Sequence, residues 1–246
     1  MPRFLAGLSL LLAGCVSYPP AIRASFDATH EALTLVEKRE YAAATRIAED
    51  TLRKLEDLSA FDAQMQYEAY VERGISWFVI GYAKYDASVP RDEKGNRKYD
   101  DVFRVMATPE GGAVEFEKAI TEFQQGWTLK TPRFSYHEDA FFFALCRTCL
   151  GQFEAACDVY AIGLEYAERR NRPDATKAMY LRHRALCNHM YAYHIHARGS
   201  GDRKAIREAY ERTRDDLTRI QTLNVPDSER TWAKALQDDV ESLIKP

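Results

Sequence analysis

The chain has 246 residues, and its 34 lysines and arginines nearly balance its 37 aspartates and glutamates, giving a formal net charge of −3 at pH 7. Because basic and acidic residues are mixed along the chain, the sequence has no basic stripe of the kind that binds nucleic acid. The length is sufficient for one domain with a substantial core or for a short array of repeats.

The first fourteen residues have the layout of a secretory signal peptide. Arg3 supplies one positive charge, a mostly apolar run covers residues 4–12, and the small residues Ala13 and Gly14 precede Cys15. The apolar run is too short to span a bilayer, because a spanning helix needs about 20 apolar residues. We therefore expect residues 1–14 to be a signal peptide that is removed.

The segment Leu12-Ala13-Gly14-Cys15 resembles the lipobox of bacterial lipoproteins. The resemblance implies that Cys15 is acylated, with palmitate as a typical acyl group, and becomes the new N-terminus. Such acyl chains anchor a protein to a membrane that it does not span. Val16 follows instead of an acidic residue, which by the same resemblance indicates the periplasmic side of the bacterial outer membrane. The alternatives are an ordinary signal peptide with an accidental cysteine and a buried N-terminal helix.

The rest of the chain is predicted to be helical. Residues 15–20 are expected to form a short lipidated tether, because Pro19 and Pro20 favour an extended backbone. From residue 21 to residue 246, good helix formers dominate and apolar residues recur at spacings of three and four. No alternating pattern typical of β-strands is sustained. The predicted fold class is all-α.

Three windows share a spacing of aromatic and small residues that resembles the second helix of a tetratricopeptide repeat. They are Tyr41, Ala44, Ala48 and Thr51; Phe116, Ala119, Phe123 and Gly126; and Phe153, Ala156, Tyr160 and Gly163. The small residues would let two antiparallel helices approach closely, while the aromatic residues fill the groove toward the next pair.

Other segments extend this resemblance. Trp77, Ile80 and Gly81 match the pattern of a first helix, and Gly151 supplies a turn before the third window. A looser fourth pair covers residues 175–197 and 203–221. A final helix over about 228–244 is expected to place one stripe against the array, namely Trp232, Leu236, Val240 and Leu243. The resemblance implies an irregular tetratricopeptide-like helical-repeat array of about four helix pairs and a C-terminal capping helix. A generic irregular helical bundle is the alternative.

Residues 88–112 interrupt the pattern as an insertion. This segment contains Pro90, Gly95, Pro109 and a Gly111-Gly112 pair around a strongly charged middle. A connection of this length is often functional, and a solvated insertion is an equal alternative. A short helix over residues 99–106 is compatible with its sequence.

Two groups of side chains have the types that metal or redox chemistry needs. Cys146 and Cys149 form a C-x-x-C, and Cys157 and Cys187 allow further disulfides, although buried free thiols are the simpler interpretation. His183, Cys187, Met190 and His194 share one helical face. His183 and Cys187 are the pair that a metal site would use, and a face lining the core or a groove is the alternative interpretation.

The remaining candidates are aromatic. Tyr67, Tyr70, Trp77, Phe78, Tyr82 and Tyr85 follow one another at helical spacing, which favours core packing. A groove or pocket is the second interpretation, and it would use Tyr70, Trp77, Tyr82 and Tyr85.

No motif typical of catalysis or of phosphate or dinucleotide binding occurs, so we expect no enzymatic activity and no cofactor. The leading hypothesis is a membrane-anchored envelope lipoprotein that acts as a scaffold for a protein or peptide partner. The alternative is a lipoprotein that binds a small molecule or a metal and is associated with periplasmic solute uptake. The oligomeric state is left open.

Overall fold

The computed structural model describes residues 20–89, 106–129, 136–197 and 202–244. These ranges form α-helices, one π-helical turn and no strand, so the predicted all-α fold class is confirmed for them. The helices are α1 (Pro20–Glu37), α2 (Tyr41–Lys54), α3 (Ala63–Ser88), α4 (Val114–Thr128), α5 (Tyr136–Cys149), α6 (Phe153–Arg169), α7 (Asp174–Ala197), α8 (Arg203–Thr222) and α9 (Asp227–Ile244).

Several predictions fall on other parts of the chain. The signal peptide over residues 1–14, Cys15, and the tether up to residue 19 lie outside the described residues. So does most of the predicted 88–112 insertion, including nearly all of the short helix expected over 99–106. At the margins of the insertion, α3 continues through Ser88, and Pro109–Ala113 form the π-helical turn that leads into α4.

The chain divides into two compact units. Unit 1 contains α1 to α5, and unit 2 contains α6 to α9. In unit 1, α3 is the central helix: it packs against α1, α2, α4 and α5. Its buried residues lie on most of its circumference, as expected for a helix that is enclosed by others. In unit 2, α7 packs against α6 and α8, and α8 packs against α9.

Local sequence signals explain where key helices begin. The Asp62 carboxylate accepts a hydrogen bond from the backbone N–H of Met65 at 2.8 Å and caps α3. Asp202 caps α8 in the same way through the N–H of Ala205 at 2.9 Å. The predicted glycine turn before α6 is present, because Gly151 has a φ of 73°, a left-handed conformation that glycine adopts without strain.

The three repeat-like windows lie on α2, α4 and α6, and they face the interior. Ala44, Ala119 and Ala156 are completely buried. The other members of the windows are also buried except for Tyr41, which is half-buried. The spacing therefore predicted correctly which face of each of these helices packs inward.

The stripe predicted for the last helix is right only in part. Val240 is completely buried, but Leu243 is 54% exposed and Trp232 and Leu236 are half-buried. The buried face of α9 instead includes Glu229 and Ala233. The inward face of α9 is therefore centred closer to Ala233 than the stripe predicted, and Leu243 lies on its exposed side.

Candidate functional site

The strongest candidate site is a groove on unit 1 that we call the Trp77 groove. Its volume is about 410 Å³, and its lining residues come from the end of α2 and the middle of α3: Glu49, Leu52, Arg53, Glu56, Arg73 and Trp77. Arg53, Glu49 and Glu56 are exposed at the rim, whereas Trp77 and Arg73 are half-buried. The groove therefore has an aromatic floor and a rim with both signs of charge.

Arg73 is fixed in the floor by contacts to three parts of unit 1. Its guanidinium donates to Glu122 Oε1 on α4 at 2.7 Å and to the carbonyl oxygen of Leu55 at 3.4 Å. It also lies over the ring of Tyr70, with 5.9 Å between Cζ and the ring centroid. Burial raises the pKa of Glu122, and the charge of Arg73 opposes that rise. The ion pair thus holds both side chains in a partly desolvated position.

Trp77 is also contacted from α4. The Lys118 ammonium group on α4 lies 4.2 Å from the centroid of the Trp77 ring, which is the geometry of a cation–π contact. The indole is half-buried and keeps an accessible part at the groove. Because its orientation is already fixed, a partner that packs on Trp77 loses little side-chain entropy.

The structure separates the four residues predicted for a groove. Tyr70 and Trp77 are seven positions apart on α3 and lie on the same face, near Arg73. Tyr82 and Tyr85 belong to an aromatic cluster: Tyr82 lies 5.5 Å from Phe78 and Tyr85 lies 6.2 Å from Phe116, measured between ring centroids. Tyr85 is only 5% exposed. Of the four, Trp77 alone lines the groove. Tyr70 packs against Arg73, whereas Tyr82 and Tyr85 belong to the aromatic cluster.

Asp139 lies near the start of α5 and was not among the candidate residues predicted from the sequence. Its carboxylate is completely buried and accepts hydrogen bonds from the Tyr67 hydroxyl at 2.6 Å and the Trp127 indole N–H at 2.7 Å. Burial raises the pKa of Asp139 to about 6, although these donors favour the charged form. The contacts join α3, α4 and α5, so we interpret this group as structural.

The histidine-bearing face of α7 is packed against neighbouring helices of unit 2. The ring of His183 bonds through Nδ1 to the carbonyl oxygen of Met179 at 2.9 Å, and burial lowers the pKa of His183 to about 4. Cys187 donates through Sγ to the carbonyl oxygen of Phe153 at 3.4 Å. His194 stacks on the Phe153 ring. Over the described ranges, no three His, Cys, Asp or Glu side chains are grouped closely enough to hold a metal ion.

The four cysteines of the described residues are free thiols. Cys146, Cys149 and Cys187 are buried, and Cys157 is half-buried. Burial raises the pKa of the Cys146 thiol, which disfavours the reactive thiolate form. The C-x-x-C on α5 therefore packs as small apolar residues do.

A second groove lies on unit 2, with a volume of about 520 Å³. It is lined from α8 and α9 by Gln221, Arg230, Thr231, Lys234, Ala235 and Asp238. Its cations are already engaged, since Arg230 pairs with Asp227, and Lys234 pairs with Asp238 at 2.6 Å. It contains no aromatic side chain. The Trp77 groove is therefore the better candidate for binding a partner, because aromatic residues dominate the energetics of interfaces.

None of the protein families, curated proteins or solved structures compared with this chain matches it. What the chain does must therefore be inferred from its own residues.

Proposed function

We propose that this chain is a lipid-anchored envelope protein whose tetratricopeptide-like helical array holds a protein or peptide partner at the Trp77 groove. The observation that carries the proposal is the arrangement of Trp77 and Arg73. Both side chains are fixed by neighbouring helices, and both keep part of their surface at an open groove. Tryptophan and arginine are the residue types that most often supply binding energy at protein interfaces.

The packing order of the helices supports a repeat array. The paired helices α1 and α2, α3 and α4, and α7 and α8 pack against each other. The second helix of a pair also packs against the first helix of the next, as α2 does with α3 and α8 with α9. Such contacts between sequence neighbours are typical of helical solenoids. The exposed side chains of α9 are mostly polar, which fits a capping helix.

Close approach at glycines supports the same arrangement. A Cβ atom at Gly74 on α3 would lie 2.6 Å from the ring of Phe123 on α4. A Cβ atom at Gly163 on α6 would lie 2.4 Å from the ring of Tyr180 on α7. Large side chains on one helix thus fill the space that glycine leaves on the next, as the repeat-like spacing implies.

The groove favours a polypeptide partner. It combines the flat Trp77 indole in the floor with charged groups of both signs at the rim. A peptide offers apolar side chains for the floor and backbone and side-chain polar groups for the rim. A mixture of this kind is typical of the core and rim of protein interfaces.

The lipid anchor at Cys15 is the second part of the proposal. It places the helical units on the periplasmic side of the outer membrane through a short tether. No helix in the part of the chain that the structure describes is long and apolar enough to cross a membrane. Membrane attachment through acyl chains is compatible with that finding.

The anchor is tested by labelling with a fatty acid. The wild-type chain should incorporate labelled palmitate and float with membranes, whereas Cys15→Ala should do neither. Retention of the label in the variant would refute the assignment of Cys15.

The partner site is tested by crosslinking on native membranes. A photocrosslinking residue replaces Arg53, whose side chain is 69% exposed at the rim, and a matched control replaces Lys204 on α8, which is 87% exposed. We expect a discrete protein adduct at position 53 that is absent at position 204. Adding Trp77→Ala should abolish the adduct while the circular dichroism spectrum stays helical. An adduct that is insensitive to Trp77→Ala would contradict the proposed site.

A further inference from the structure

One edge of unit 1 brings the start of α1 together with the connection between α2 and α3. Ile22 in the first turn of α1, Leu55 just after α2, and Ala69 on α3 form one buried cluster. Phe26, Leu58 and Phe61 are partly buried and pack against it. We call residues 20–26 and 55–62 the anchor edge, because the chain from Cys15 enters unit 1 there.

The loop of the anchor edge is held in a defined shape. Gln66 donates through Nε2 to the carbonyl oxygens of Phe61 at 2.9 Å and Leu58 at 3.3 Å. The backbone N–H of Phe61 donates to the carbonyl oxygen of Leu58 at 3.1 Å. These bonds keep Leu58 and Phe61 half-buried, so that both present part of their apolar surface outward.

The tether limits how far this edge can lie from a bilayer. Five residue steps separate Cys15 from Pro20, and a fully extended chain advances about 3.5 Å per residue, so the tether reaches about 18 Å at most. If Cys15 is acylated, as the proposed function requires, the first turn of α1 must stay within that distance of the membrane surface. The far end of α1, near Lys38, lies about 27 Å further along the helix.

The charges of the anchor edge indicate which membrane surface it fits. Within the anchor edge, the exposed charged side chains are one base, Arg23, and three acids, Glu56, Asp57 and Asp62. An edge with more acids than bases is not attracted to anionic lipid. Its outward apolar surface, by contrast, is stabilised at the boundary between headgroups and acyl chains.

We propose that the anchor edge is a membrane-contacting surface that rests on zwitterionic lipid through Leu58 and Phe61, with α1 pointing away from the bilayer. This inference rests on the proposed lipid anchor at Cys15 and adds an orientation to it. Unit 1 is then held with the start of α1 toward the bilayer, and the Trp77 groove adjoins the anchor edge at Glu56.

The test uses the full acylated protein reconstituted into phosphatidylcholine and phosphatidylethanolamine vesicles that carry a nitroxide quencher on the headgroup. A fluorophore is attached at Ser59→Cys, which is exposed in the loop, or at the control Lys38→Cys, which is exposed beyond α1. Cys157, the half-buried thiol, is replaced by serine in both proteins. We expect quenching at position 59 to exceed that at position 38 by at least threefold, with little change on adding salt.

The outcomes separate the two proposals. If the protein floats with vesicles and both positions are quenched equally, or position 38 is quenched more, the orientation is overturned and the anchor stands. If the wild-type chain carries no acyl group and does not float, the anchor is overturned and the orientation falls with it. Adding Phe61→Ser to the Ser59→Cys protein should reduce quenching, and unchanged quenching would exclude Phe61 from the contact.

Discussion

The indole N–H of Trp127 donates a hydrogen bond to the carboxylate of Asp139 at a distance of 2.7 Å. The hydroxyl of Tyr67 donates to the same oxygen atom at 2.6 Å. The backbone N–H of Ala140 donates to the other carboxylate oxygen at 2.9 Å. These bonds satisfy a completely buried acid at the point where α3, α4 and α5 meet. Because the charge of such an acid depends on pH, the stability of unit 1 should depend on pH as well.

The first prediction concerns that link. Burial raises the pKa of Asp139 to about 6, from 3.8 in an unfolded chain. The folded state therefore binds the proton more tightly, and this stabilisation is complete below pH 3.8 and is lost as the pH rises through about 6. A shift of this size corresponds to about 3 kcal/mol. Asp139→Asn should remove this loss of stability, which urea unfolding at pH values from about 3.5 to about 7.5, a range that brackets both pKa values, would detect.

A matched variant tests the cause. Trp127→Phe removes one donor that favours the charged carboxylate, so the pKa of Asp139 should rise further and the loss of stability should extend above pH 6. Identical pH profiles for the wild type and both variants would show that Asp139 does not titrate in this window.

The second prediction concerns unit 2, where stability is lost as the pH falls instead of as it rises. Burial lowers the pKa of His183 to about 4, from 6.5, so the folded state disfavours the protonated ring. The contribution of His183 is fully present above pH 6.5 and is lost as the pH falls toward 4, by up to about 3 kcal/mol. His183→Gln should abolish this acid-induced loss. His196→Gln, at an exposed position of the same helix, should retain it, and equal profiles for the two variants would contradict the prediction.

Sequence periodicity predicted the helices and their inward faces well, because both depend on residues that are three or four positions apart. The windows on α2, α4 and α6 illustrate this, since a buried alanine sits at the centre of each. The same local rule places Tyr70 and Trp77, seven positions apart, on one face of α3.

The contacts that define the sites depend on partners far along the chain. Arg73 and Glu122 are 49 positions apart, and Tyr67 and Asp139 are 72 positions apart. No local pattern indicates such pairs, so the sequence does not identify Asp139 as a buried acid. The inward face of α9 depends on a distant partner in the same way, because the position of α8 decides which of several adjacent apolar residues face it.

The third prediction concerns Gly112 in the turn before α4. Its φ is 92°, and a Cβ atom there would lie 2.2 Å from the carbonyl oxygen of Gly81 on α3. Gly112→Ala therefore combines backbone strain with a clash against a rigid helix, and we expect it to cost at least about 3 kcal/mol. Gly111→Ala is the control, because its Cβ would meet only the side chains of Thr108 and Ser88, at 3.0 Å or more. Thermal unfolding should show a large decrease in Tm for the first variant alone, and equal decreases would contradict this account.

The fourth prediction concerns the ion pair between Arg184 and Asp216, which joins α7 to α8. The guanidinium donates to both carboxylate oxygens, at 2.8 Å and 2.6 Å, and Asp216 is only 3% exposed. The pairing raises the pKa of Arg184, whereas burial raises that of Asp216. Asp216→Ala leaves a partly buried cation without its partner, so we expect urea unfolding to show a free energy of unfolding lower by about 3–5 kcal/mol.

Glu211→Ala is the control: it breaks an exposed pair with Arg207 on the same helix and should cost less than about 0.5 kcal/mol. Replacing both members of the buried pair, as Arg184→Met with Asp216→Leu, should recover most of the loss, because the penalty arises from the unpaired charge. A double variant as unstable as Asp216→Ala would show that the two side chains contribute through packing instead.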